Sequence, residues 1–274
     1  MTKVVFSTCW YEFKGKFDKE TYYQWMDTLL TNVNNYYLVI YTDKTSANNL
    51  LKYCNHPRIK LVMKEPEDFY MYKYKNEWEH NHNKNVLLND KTDWRVNMLW
   101  SEKIFFVKDT IDKQYFCDTS DTDLFYGWID IGYFRETYLR NDSELLKKWP
   151  NYDTIAKLDK TKIYYSLVNH NDQFLDYLNS IIADKNTKGL PNQEIPPYQV
   201  SIGGGFFITA LPNIGWWATT YETKLKLYFD NKYLVKDDQI IIADCVFSDI
   251  NRFFLIREYN PIYDFWFVFA RYFA

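Results

Sequence analysis

Short runs of β-branched and aromatic residues alternate with stretches of helical spacing near the start of the chain, and this alternation leaves few folds open. Lys3–Trp10 is such a run, and residues 18–30 follow with Tyr22, Trp25, Met26 and Leu29 at helical spacing. Residues 36–41 (YYLVIY) form a continuous apolar run ended by Thr42-Asp43, residues 46–53 can coil into a helix, and residues 58–63 read as a third strand. Strand, helix, strand in repetition predicts a twisted parallel sheet covered on both faces. Such sheets bind ligands beyond the carboxyl ends of their strands, where the strand order switches. Residues just past strand ends are therefore the first functional candidates.

Clustered Lys, Asn, His and Tyr over residues 64–93 predict a long loop. Helical periodicity returns at 94–111, and 124–131 (LFYGWIDI) is an apolar strand with one carboxylate, Asp130, near its C-terminal end. Residues 163–168 read as a strand, 172–182 as a helix, and 198–210 as a strand interrupted by Gly203-Gly204-Gly205. Helices over 216–228 and 237–247 and a strand over 253–256 complete the pattern. With no composition shift, linker or repeat, residues 1–274 are expected to form one α/β domain.

A formal charge of -3 supplies no general field for nucleic acid or an anionic membrane, so nucleic-acid binding is not expected. The 25 Tyr, 20 Phe and 10 Trp suit the apolar faces of sugars and bases, although aromatics also fill cores. Cysteines at 9, 54, 117 and 245 form no CxxC pair, so neither a zinc site nor a disulfide scaffold is legible and a reducing compartment is expected. The first residues lack the basic-then-apolar pattern of a signal peptide, and the longest apolar runs, such as 265–270, fall far short of the roughly 20 residues that span a bilayer. A cytoplasmic protein, at most peripheral to a membrane, is expected.

The loop after the first strand (STCWYEFKG) carries no GxGxxG, and no GxxxxGK[ST] occurs, which disfavours a dinucleotide site and a P-loop; any bound phosphate needs another neutralising group. Asp130 can coordinate a divalent cation bridging a diphosphate, hold a ribose hydroxyl, or cap the turn that follows. Asp121-Thr122-Asp123 matches DxD but precedes its strand and so points to the wrong end of the sheet. Three glycines within a strand cost stability unless something approaches the backbone closely, a bound sugar being one candidate and a β-bulge another. Asp237-Asp238-Gln239 opens a helix, where the acids either cap it or supply a general base on a rigid mount. His80-Asn81-His82 with Glu77 and Glu79 lacks metal-site spacing, and no histidine lies near a GxSxG-type motif. Asn141-Asp142-Ser143 fits a glycosylation pattern that carries little weight without a secretory signal.

Residues 99–108 (LWSEKIFFVK) and 125–135 (FYGWIDIGYFR), with GGGFF and the later DDQ, resemble the HtrL/YibB-type family, which is similar to glycosyltransferases of the GT-A fold, and the chain is also similar to GT-A glycosyltransferases of large DNA viruses. The resemblance implies a GT-A-like mixed, mainly parallel sheet flanked by helices. It implies a nucleotide-diphosphate sugar as donor, a UDP-sugar favoured, held by the N-terminal half, with a glycan, lipid-linked or protein-linked acceptor on the C-terminal half. Carried onto this chain, Thr8, Trp10, Tyr11 and Asp43 hold the nucleoside, and Lys103 faces the diphosphate or supports the strand-end acid. Asp130 takes the first place of DxD and would hold Mn2+ or Mg2+ with diphosphate oxygens and water, while Gly132 stands at the second. Gly203, Gly204 and Gly205 fall to the acceptor, and Asp238 or Asp237 deprotonates its hydroxyl. Polysaccharide, lipopolysaccharide or protein-linked glycan assembly is the implied setting. Competing readings are a non-catalytic nucleotide-sugar or glycan-binding module, favoured by the missing second acid, and a nucleotidyltransferase, disfavoured by the first loop.

Residues 259–274 carry eight aromatic rings that need cover. Packing back onto the domain, a homodimer contact, or a peripheral membrane seat would each provide it.

Overall fold

The computed structural model describes residues 3–118, 123–141 and 143–274, so the DxD-like and Asn141-Asp142-Ser143 patterns lie partly outside the described residues. Its centre is a seven-stranded sheet in the order β3-β2-β1-β4-β6-β5-β7. The strands are β1 (Lys3–Trp10), β2 (Tyr37–Thr42), β3 (Ile59–Met63), β4 (Leu124–Ile129), β5 (Ile163–Leu167), β6 (Ile202–Ala210) and β7 (Phe253–Arg257). Every pairing is parallel except the two made by β6. This is the mixed, mainly parallel sheet that the family resemblance implies.

Alternation along the strands divides the core. Val4 and Phe6 of β1, with Phe125 and Ile129 of β4, join α1 (Lys19–Leu30) on one face. Val5 of β1, with Tyr126 and Trp128 of β4, meets the other face, covered by α3 (Trp94–Asp112), α7 (Asp172–Ala183), α8 (Leu211–Asp230) and α9 (Asp238–Ser248). Helix ends follow local chemistry: the Asp18 carboxylate accepts from Thr21 N–H at 2.8 Å at the start of α1, and Asp93 caps α3 through Arg95 N–H at 2.9 Å. Short helices α4 (Thr137–Asn141), α5 (Ser143–Lys147) and α6 (Tyr152–Ile155) link β4 to β5.

The chain winds outward from β1 through β2 to β3, then returns to the far side of β1 as β4. The order therefore switches between β1 and β4, and a crevice opens beyond their carboxyl ends. Because β6 runs the opposite way, its N-terminal glycines arrive at that same end.

Three expectations are corrected. Residues 64–93 are not a long loop but contain 3-10 turns at Pro66–Asp68 and Tyr70–Tyr74 followed by α2 (Lys75–Lys84). This helix buries only Trp78 and Asn81, and Asn81 exchanges bonds with Val235, donating to its carbonyl at 2.7 Å and accepting from its N–H at 2.9 Å. A polar contact with a distant segment holds it, which hydrophobic periodicity does not register. Helix α8 begins at Leu211, with Pro212 in the first turn where a missing N–H costs nothing. The 46–53 segment is 3-10 rather than α-helical.

The aromatic tail packs back onto the α1 face through a turn at Phe265–Phe267 and α10 (Val268–Tyr272). Phe269 stacks on Phe206 with ring centroids 4.4 Å apart, and Trp149 Nε1 donates to the Phe269 carbonyl at 3.0 Å. Arg271 anchors the end by ion pairs to Glu136 and Glu258. Phe267, Phe269 and Phe273 are buried on this sheet without help from a membrane or a second copy. Among the described residues, no helix is long and apolar enough to cross a membrane.

Candidate active site

Lys103, near the middle of α3, reaches the crevice as a buried ammonium. Its Nζ donates to the Gly204 carbonyl at 2.8 Å and lies 3.2 Å from Asp130 Oδ1 and 3.2 Å from Asp238 Oδ2. The Asp238 contact is an ion pair that is not aligned as a hydrogen bond, and Asp238 Oδ2 has no hydrogen-bond partner. Burial alone would lower the Lys103 pKa, but the two carboxylates outweigh it and hold lysine above its ordinary value. Burial pushes the Asp238 carboxyl up to about 6, with Lys103 opposing the rise and Asp237 and Asp130 adding to it.

Asp130 sits just past β4. Its N–H donates to Gly205 O at 2.8 Å, and its Oδ1 accepts from Trp128 Nε1 at 2.6 Å. Asp237 occupies the N-cap position of α9, yet its side chain makes no capping bond. Instead Oδ2 pairs with Lys236 Nζ at 2.8 Å, and Oδ1 is buried without a hydrogen-bond partner.

The glycines of β6 are explained by side chains packed against the strand, two of them these acids. A Cβ on Gly204 would stand 2.7 Å from Asp238 Oδ2, one on Gly205 would stand 3.2 Å from Asp130 Oδ2, and one on Gly203 would stand 2.3 Å from Ser166 Oγ. The close approach to this strand is made by the chain's own side chains. The β5–β6 register also shifts at this point.

Two connected compartments open over the site. The narrower, about 130 Å3, includes Trp10, Tyr11 and Glu12 after β1; the wider, about 510 Å3, includes Asp237, Asp238, Gly204, Gly205 and Trp266. Lys16, Trp100, Lys103, Asp130 and Arg135 line both. The wider one falls within the roughly 300–1,000 Å3 of small-molecule sites.

Of the residues expected from sequence, Trp10, Tyr11, Lys103, Asp130, Gly204, Gly205, Asp237 and Asp238 thus meet in one cleft. Thr8, Asp43 and Gly203 line neither compartment. Thr8 is fully buried in β1. Asp43 Oδ1 accepts from Ser46 N–H at 2.7 Å, and Ser46 Oγ accepts from Glu12 N–H at 2.9 Å, so Asp43 supports the loop carrying Glu12. Sequence reasoning missed Phe17, Trp25, Trp100, Trp266 and the cations Lys16 and Arg135. Arg135 follows the β4 end by six residues, and the strand-end argument that found Asp130 reaches it when extended along that loop.

The metal implied by the resemblance is a poor match to the donor set. A Cβ on Gly132 would lie 2.9 Å from Trp25 Cε3, so the second place of the motif has no room for a carboxylate while Trp25 stays where it is. Asp130 Oδ1 is already engaged by Trp128 and Lys103. Among the described residues, no group of three His, Cys, Asp or Glu side chains is placed to hold an ion. The cation between Asp130 and Asp238 is the protein's own Lys103.

No family model matches the chain, and no curated protein does. Among solved structures, the chain is similar to apo mouse xyloside xylosyltransferase 1, with 9% identity and a TM-score of 0.46 over 93% of this chain and 85% of that one. It is also similar to the galactosyltransferase LgtC, a complex with donor and acceptor sugar analogues, with 10% identity and a TM-score of 0.43 over 93% of this chain and 73% of that one. At these values neither likeness bears on what the chain does.

Proposed function

We propose that the chain is a GT-A-type glycosyltransferase of the HtrL/YibB kind, transferring a hexosyl or pentosyl group from a nucleoside-diphosphate donor, a UDP-sugar favoured, to a hydroxyl of a glycan or glycoconjugate. The observation that carries this reading is Asp238: a buried carboxyl with a pKa of about 6, opposite a strand-end acid, on a cleft at the switch point of the sheet. A base that titrates near neutrality is matched to removing a hydroxyl proton at physiological pH.

In the proposed reaction the acceptor enters the wider compartment and its hydroxyl gives a proton to Asp238 as its oxygen bonds to the anomeric carbon. The bond from that carbon to the diphosphate oxygen breaks, and the diphosphate departs with the electron pair. Lys103 keeps Asp238 ionised and compensates Asp130 when water is displaced. Trp10 and Tyr11, lining the narrower compartment, suit the nucleoside. Trp266 offers a face on which a sugar ring stacks. Within this reading residues 1–274 work as one domain, the N-terminal half holding donor and the C-terminal half acceptor, in cytoplasmic polysaccharide assembly.

One observation favours a second reading, a non-catalytic sugar-nucleotide or glycan-binding module: Lys103 already pairs with both central acids. Turnover separates the two. Asp238→Asn in the transferase retains donor affinity and loses on the order of 10²-fold or more in rate, whereas a binding module shows thermal stabilisation by a sugar nucleotide and no transfer from any donor.

A further inference from the structure

The cleft holds two cations that the proposed chemistry has not used. Arg135 donates its Nε–H to Gly132 O at 3.0 Å, and among the described residues its terminal N–H groups make no hydrogen bond or ion pair with the protein. Its guanidinium lies 4.5 Å from the Trp25 ring centroid, 4.9 Å from that of Phe267 and 6.0 Å from that of Phe17. Lys16, the residue before Phe17, stands 4.6 Å from the centroid of Trp100 and has neither an ion pair nor a hydrogen bond among the described residues. Both side chains line the junction of the two compartments beside Asp130. Aromatic faces hold these groups in place without neutralising them, leaving their donors for a ligand.

Trp25 links this to the incomplete acid motif. It occupies the space a side chain at position 132 would need, and its ring is the platform for Arg135. The end of β4 thus trades a second carboxylate for a stacked guanidinium. We infer that Lys16 and Arg135 form the diphosphate site of the donor and neutralise its two phosphates in place of a divalent cation. The planar fork of arginine suits paired phosphate oxygens, and a lysine point charge supplements it. Lys103, enclosed between Asp130 and Asp238, keeps the adjoining acids from repelling the ligand. The inference rests on the glycosyl-transfer reading.

Calorimetry of the full chain with UDP and with inorganic pyrophosphate, in excess EDTA and then in Mn2+, tests it. UDP should bind in EDTA with an affinity within roughly threefold of that in Mn2+, and Arg135→Gln and Lys16→Met should each weaken it at least roughly tenfold. Asp130→Asn should leave UDP affinity in EDTA unchanged or higher, because it removes negative charge beside the ligand. Thermal melting of each variant establishes that it is folded, and exposed Lys16 provides a variant with little structural cost. Binding that appears only with Mn2+ and is lost in Asp130→Asn overturns the inference and leaves glycosyl transfer standing. Undiminished binding in both Arg135→Gln and Lys16→Met overturns it as well. If neither probe binds under any condition, the inference and the donor-site reading fall together.

Discussion

Lys103 Nζ stands 3.2 Å from Asp238 Oδ2 and 3.2 Å from Asp130 Oδ1, so one buried ammonium compensates carboxylates delivered by two separate elements. Removing it leaves charge buried without its counterion, which typically costs about 3–5 kcal/mol. Lys103→Met is expected to lose stability of that order in urea denaturation near neutral pH. With the ammonium gone the Asp238 carboxyl rises further, so the variant should regain stability as the pH is lowered. A loss that is the same in acid and at neutrality would show that the ammonium matters for packing rather than charge.

Glu102, one residue earlier on α3, is fully buried. Its oxygens accept from Tyr70 N–H and Met71 N–H at 2.9 Å each, and burial pushes its pKa up to about 7, with Lys64 opposing the rise. Asp238 is raised in the same sense. For both acids the folded chain holds its proton more tightly than the unfolded chain does, so stability falls as pH rises from the ordinary carboxylate range through about 6 to 7. Denaturation midpoints at about pH 5 and about pH 8 should differ in this direction, and Glu102→Gln should shrink the difference. An unchanged difference in Glu102→Gln would assign the pH dependence elsewhere.

The N-terminal strands and helices were legible because each buries a regular apolar pattern. Helix α2 was not, since KNEWEHNHNK buries one tryptophan and one asparagine whose partner lies at Val235. Asp130 and Asp238 could be picked out from their places at a strand end and a helix start. The resemblance offered Lys103 as a support for Asp130, but that Asp238 shares the same ammonium was not legible, because that contact joins residues far apart in the chain. The glycine triplet signalled a close approach to the backbone, but sequence does not say that Asp238, Asp130 and Ser166 make it. Lys16 and Arg135 were not picked out, because nothing in their sequence neighbourhood shows that the fold sets them against the rings of Trp100 and Trp25.

Glycine positions separate structural from functional cost. A Cβ at Gly127 would lie 2.2 Å from the Phe207 carbonyl oxygen, whereas one at Gly204 meets the Asp238 carboxylate at 2.7 Å. Gly127→Ala should lower stability by about 1–3 kcal/mol through strand displacement. Gly204→Ala is expected to cost less stability than Gly127→Ala and more turnover, by shifting Asp238. Paired urea titrations and transfer assays compare them, and the reverse ranking would dissociate Gly204 from the acid's position.

The tail is part of the core beneath the cleft. Phe269 is fully buried against Phe206, so Phe269→Ala should cost about 3–5 kcal/mol. Deleting residues 265–274 also removes Trp266 and Phe267 from the wider compartment and should lower the melting temperature. A truncated chain with parental melting temperature and mass in solution would contradict the packing described.

The most direct measurement follows nucleoside diphosphate release from a panel of sugar nucleotides, with UDP-sugars first, in the presence of glycan acceptors. The parent should release diphosphate from at least one donor, with a rate that rises with pH through about 6 as Asp238 ionises. Asp238→Asn should bind that donor equally well and release it on the order of 10²-fold more slowly or worse. A parent that releases no diphosphate from any sugar nucleotide, or an Asp238→Asn variant that keeps the parental rate, would contradict the account.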